Sequence, residues 1–161
     1  MKRVVPGTLA LGFLCFAPIP SHAESDLVGT WKQTAFYQKI VATGKRRDLF
    51  GDKVLGRVIY TKEGTFCTMA TAADRKQAGP AISDAEKPAL FTSMYAFCGK
   101  YTVDGSKLST VADTSWAPIR VGKPGGGRWE VKGKTLTIET DPFKAIGDGA
   151  EVIAIVQYER E

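Results

Sequence analysis

Proton-transfer chemistry in this 161-residue chain rests on few side chains, because its one histidine, His22, lies within a leader-like N-terminal segment. Without it, acid and base roles fall to carboxylates, tyrosines and lysines. Asp113, Glu130, Glu139 and Glu151 lie on or beside predicted strands. Strand alternation turns Glu130 and Glu139 away from the apolar faces of Trp129–Val131 and Leu136–Ile138, toward solvent, and leaves Asp113 undecided. A buried one of the four with a raised pKa, near Tyr101 or Tyr37, would serve as a general acid in an isomerase, cyclase or dehydratase acting on a hydrophobic substrate.

Other reactive combinations are incomplete. Structural zinc needs four sulfur or imidazole ligands. Past the leader the chain offers only Cys67 and Cys98, so no metal site is expected. No cofactor is expected either. The glycine-rich stretch Gly122–Trp129 has the outer spacing of a phosphate loop, but Arg128 and Trp129 stand where lysine and a hydroxyl residue are needed. A strand follows instead of a helix, so a flexible hairpin or barrel-rim loop is the expectation. Two readings of the cysteine pair stay open: a disulfide, or two buried thiols on neighbouring strands.

The leader fixes the expected compartment. Lys2 and Arg3 precede an apolar run from Val4 to Phe16, and the small-x-small triplet Ser21-His22-Ala23 follows, the three regions of a secretory signal peptide. Cleavage after Ala23 would give a periplasmic or extracellular domain of residues 24–161. The run, broken by Pro6, Gly7, Gly12 and Pro18, is too short for a membrane span. Bulky Leu14 before Cys15 argues against a lipid-anchored leader, so no stable membrane anchor is expected. Losing Lys2 and Arg3 takes the formal charge from +5 to +3. The basic cluster Lys45-Arg46-Arg47 is followed at once by Asp48, and no basic face with stacking aromatics points to nucleic acid.

These residues need a scaffold, and short alternating runs separated by glycine turns predict an antiparallel all-β domain. In Leu27–Tyr37, alternation places Trp31, Gln33, Ala35 and Tyr37 on one face. Lys62-Glu63-Gly64, Asp104-Gly105 and Lys132-Gly133 each sit between two such runs, as hairpin turns do. The last predicted strand is Glu151–Tyr158. One stretch differs: Ser83-x-x-Glu86 has capping-box spacing, and a helix is expected over about 84–96, inside an insertion spanning residues 71–96.

Leu27-Val28-Gly29-Thr30-Trp31, Gly56–Thr61, Tyr95–Gly105 and the terminal Tyr158-Glu159-Arg160 together resemble the bacterial and fungal lipocalin-like domain family, of the calycin type. The resemblance covers nearly all of residues 26–160. It implies an up-and-down β-barrel of about 8–10 strands around an apolar cavity, with the short helix inserted mid-chain. It also implies that Trp31 and Arg160 close one end of the barrel, the guanidinium packing across the indole, a structural contact and not a site.

In such a barrel, inward aromatics either fill the core or line a cavity. The candidates are Tyr37, Tyr60, Phe66, Phe97, Tyr101, Trp116, Trp129 and Tyr158, with Gln33 as a polar contact. Trp116, in an expected loop, would line the open end or pack beneath the helix. The expected function is binding or carrying a small hydrophobic or amphipathic molecule. The alternatives are the carboxylate-and-tyrosine enzyme described above and a filled barrel whose surface binds a protein.

Overall fold

The computed structural model describes residues 26–51, 53–77 and 79–161. The expected leader, residues 1–23 with Cys15 and His22, lies outside the described residues. In chain order the elements are β1 (Gly29–Ile40), β2 (Arg46–Arg47), β3 (Val54–Tyr60), β4 (Thr65–Ala72), α1 (Lys87–Thr92), β5 (Met94–Asp104), β6 (Lys107–Ser115), β7 (Pro124–Lys132), β8 (Thr135–Thr140), β9 (Phe143–Lys144) and β10 (Glu151–Arg160). Eight strands pair in the order β1-β3-β4-β5-β6-β7-β8-β10, and β10 returns to β1 along Trp31–Ile40, closing an antiparallel barrel. Closure leaves no long sheet edge unpaired. The two-residue β2 and β9 pair with the upper stretches of β1 and β10, whose lower stretches pair with β3 and β8.

The antiparallel register sorts the connections by length. Tight turns at 61–64, 105–106 and 133–134 lie at the end that holds Trp31 and Arg160. Gly64, Gly105 and Gly133 take φ of 73°, 55° and 60° there, a left-handed conformation that other residues adopt only at a cost. The longer connections 41–53, 73–93, 116–123 and 141–150 all gather at the opposite end. Trp31 is fully buried, and its Nε1 donates to the Leu27 carbonyl at 2.8 Å. The Arg160 guanidinium lies 4.1 Å from the indole centroid and donates to the carbonyls of Val28 and Asp26. That end is sealed.

Three local readings of the sequence are corrected. A β-bulge between Gln33 and Ala35 resets the alternation of β1, so Trp31 and Gln33 face inward but are followed by Phe36 and Gln38. Tyr37 therefore points outward, with the Arg46 guanidinium 4.1 Å from its ring centroid. The helix is only Lys87–Thr92, because Met94–Lys100 are taken up by pairing with β4. Glu86 still accepts hydrogen bonds from the Ser83 amide (2.9 Å) and hydroxyl (2.6 Å), which fixes the turn leading into α1. Residues 124–127, expected in a loop, are strand. A Cβ on Gly126 would stand 2.0 Å from the Leu108 carbonyl oxygen, and one on Gly127 2.1 Å from that of Glu139, so only glycine lets β6 and β8 approach this closely.

Cys67 and Cys98 face each other across β4 and β5 with an S–S distance of 2.05 Å. The bond lies on the outer face, since Phe66 and Thr68 on either side of Cys67 point inward and are buried. It clamps the two strands from which the 73–93 connection departs. In the chain-entropy picture a loop of this size contributes about 3–4 kcal/mol.

A candidate ligand cavity

Above the sealed end, a cavity of about 840 Å³ opens in the barrel, taking in its interior and extending to exposed residues of β5 and β6 such as Lys100 and Ser109. Its lower part is aromatic: Tyr60 and Tyr101 meet edge to face at 5.0 Å, and Phe66 meets Phe97 edge to face at 5.7 Å. Inward strand positions supply all four, on β3, β5, β4 and β5 respectively. The Tyr101 hydroxyl donates to the Thr61 carbonyl at 2.7 Å, which leaves its ring apolar toward the cavity. Higher up, Tyr95 contacts Phe36, Phe50, Phe97 and Trp116 within 5.5–6.3 Å.

One polar island interrupts this wall. The Tyr95 hydroxyl donates to Gln33 Oε1 at 2.7 Å, and hydrogen bonding joins it to Tyr158 and Thr68. Burial pushes the Tyr60, Tyr95 and Tyr158 phenols above their ordinary values, and the neighbouring phenols push Tyr60 and Tyr158 further in the same direction. Each is neutral at physiological pH. They act as hydrogen-bonding walls, not as bases.

The mouth is built from the long connections. Arg47 donates to Gln38 Oε1 at 2.6 and 3.2 Å and pairs with Asp148, tying the 41–53 and 141–150 segments together. Phe50, Phe91, Trp116, Phe143 and Ile146 surround the opening. Trp116 lies just beyond β6, with its ring 6.2 Å from Phe91 of α1 and 6.4 Å from Phe97. It both lines the cavity and packs against the helix. Arg120 reaches in beside it, with its guanidinium 5.4 Å from each of the ring centroids of Phe97, Trp116 and Phe143.

Of the residues singled out by sequence, Tyr60, Phe66, Phe97, Tyr101, Trp116 and Tyr158 converge on the cavity. Gln33 is buried just behind it and is coupled to it through Tyr95. Trp129 instead packs in the core near the sealed end, opposite Ile138, and Tyr37 is on the outer face. Sequence reasoning missed Phe36, hidden by the bulge, and Tyr95, placed in the helix. It also missed Phe50, Arg120 and Phe143, which the long connections carry without periodic signal. Asp113, Glu130, Glu139 and Glu151 are all exposed, and no carboxylate is buried among the described residues. The buried carboxylate that the general-acid alternative needs is therefore not found among these four.

A family profile described as a lipocalin-like domain matches residues 28–160. Among solved structures, one match is the crystal structure of Echinococcus granulosus fatty-acid-binding protein 1, 13% identical over 84% of this chain and 98% of that one, with a TM-score of 0.38. A comparison with the curated proteins finds no match.

Proposed function

The chain belongs to the lipocalin-like domain family, and from that premise we propose that it is an exported carrier that holds one small hydrophobic or amphipathic molecule inside its barrel. The observation that carries this reading is the cavity itself, about 840 Å³, with largely apolar walls that include eleven aromatic side chains. That size is within the range of pockets that enclose a drug-sized molecule, and apolar walls with a few placed polar groups are their usual chemistry. Each methylene moved from water into such a space contributes about 0.8 kcal/mol. Export is supported by the leader sequence, and a bridged cysteine pair fits an oxidising compartment.

One experiment reads both parts. Native mass spectrometry of protein recovered gently from the periplasm or medium of its own host should give a polypeptide beginning at Glu24, carrying a discrete apolar adduct that organic extraction removes. A bare polypeptide that also fails to bind the neutral probe N-phenyl-1-naphthylamine saturably would overturn the carrier reading. A retained leader would overturn export.

A further inference from the structure

The segment Trp116–Arg120 is arranged the wrong way round for an ordinary surface turn. After Trp116 the chain makes a one-turn 3-10 helix, Pro118–Arg120, held by the Arg120 amide donating to the Ala117 carbonyl at 3.0 Å. Ile119 is 72% exposed, while the Arg120 side chain turns inward to line the cavity. Sequence proximity to solvent would favour the reverse, since arginine is seldom buried without a partner. No carboxylate among the described residues pairs with Arg120. Its Nε–H is buried without an acceptor, and so is the Nε1–H of Trp116 on the same turn.

Three aromatic rings hold the guanidinium, at 5.4 Å each, by cation–π attraction. That attraction acts on the charge but satisfies no N–H in the guanidinium plane. Burial pulls the pKa of Arg120 down, although arginine remains charged in proteins. At the mouth, where Arg47 is already paired with Asp148, Arg120 thus presents a fixed positive charge and, with Trp116, two orphaned donors above an apolar chamber, an arrangement that is costly until an anionic acceptor arrives.

Resting on the carrier reading, we propose that the ligand is an amphipathic monoanion, a carboxylate whose head group pairs with Arg120 and whose apolar body lies against Tyr60, Phe66, Phe97 and Tyr101. A planar guanidinium edge matches two carboxylate oxygens, and the Trp116 Nε1–H offers a further donor at the same turn. One cation balances one negative charge. A phosphate monoester dianion would bring a second negative charge to a mouth whose other lining guanidinium, Arg47, is already engaged by Asp148 and Gln38.

The test compares dodecanoate, 1-dodecanol and dodecyl phosphate as competitors of N-phenyl-1-naphthylamine on the delipidated mature protein near neutral pH. Dodecanoate should bind at least about tenfold more tightly than the alcohol, the usual scale for a charge-assisted hydrogen bond. Arg120→Gln should abolish that preference and leave alcohol binding unchanged, with a thermal melt confirming the fold. If Arg120→Gln fails to fold, Arg120→Lys carries the test, because it keeps the charge, loses the fork and should lower dodecanoate affinity alone. Equal affinity for acid and alcohol, a preference that survives loss of the guanidinium, or tighter binding of dodecyl phosphate would overturn this assignment while leaving the carrier standing. If neither the probe nor any of the three ligands binds, the carrier reading itself fails.

Discussion

Tyr60, Tyr95 and Tyr158 put three phenols into the interior of a barrel whose buried polar side chains otherwise include Gln33, Gln38 and Thr68. Each is shifted upward, by burial above all. A group whose folded pKa exceeds its unfolded value contributes stability that is fully present below the unfolded value, here near pH 10, and is lost as pH rises through the folded one. The barrel should therefore lose stability above pH 10, and these phenols should ionise only as it opens. In an absorbance titration of the folded protein, the signal of Tyr60 and Tyr158 should be missing near pH 10 and should appear together with loss of near-UV circular dichroism. Smooth titration of Tyr60 and Tyr158 near pH 10 with the dichroism intact would contradict the buried placement. Arg120 is the opposite case, a charge that stays charged and so must find its counter-ion elsewhere.

Among the elements, glycine-turned hairpins were the most legible, because residues such as Gly64, Gly105 and Gly133 occupy φ values that other side chains resist. The closing pair was legible too, since Trp31 and Arg160 lie on strands at opposite ends of the domain and meet in direct register. The bulge in β1 left no such trace: one extra residue changes which face is buried without changing composition, so Phe36 and Gln38 replaced Ala35 and Tyr37 inside. Tyr95 was misread because the Ser83–Glu86 turn is a genuine helix-entry signal, whereas pairing between β4 and β5, locked by Cys67–Cys98, ends the helix at Thr92. The glycine run at 125–127 was read as freedom, but its role is close approach. Gly105→Ala, with open space around it, should cost only about 1–2 kcal/mol for its φ. Gly126→Ala, which drives a methyl against the Leu108 carbonyl, should cost distinctly more. Urea midpoints decide: equal losses at the two sites would remove the close-approach explanation.

At the scale of the whole barrel, the two ends divide stability from access. The sealed end concentrates fully buried side chains, Trp31, Leu27, Leu108 and Leu136 among them. The other end carries Val41, Leu49, Ile82, Phe91, Ile119, Val121 and Ile146, large apolar side chains left 42–72% exposed on the long connections. Exposed apolar side chains collected around one opening mark a place where apolar molecules bind or pass, and Leu49, Phe91 and Ile146 also line the cavity. On the carrier reading, substitutions at the two ends should separate cleanly. Trp31→Phe removes the hydrogen bond to Leu27 and part of the ring beneath Arg160, so it should lower stability by about 1–3 kcal/mol and leave affinity for N-phenyl-1-naphthylamine within twofold. Phe91→Ala, at a half-exposed position resting on Trp116, should hardly move the melting temperature yet should speed probe release by opening the mouth. Stopped-flow dissociation and thermal melts on the two variants measure both quantities. If Trp31→Phe weakens binding as much as it weakens the fold, or Phe91→Ala leaves release unchanged, entry does not run through the end where the long connections meet.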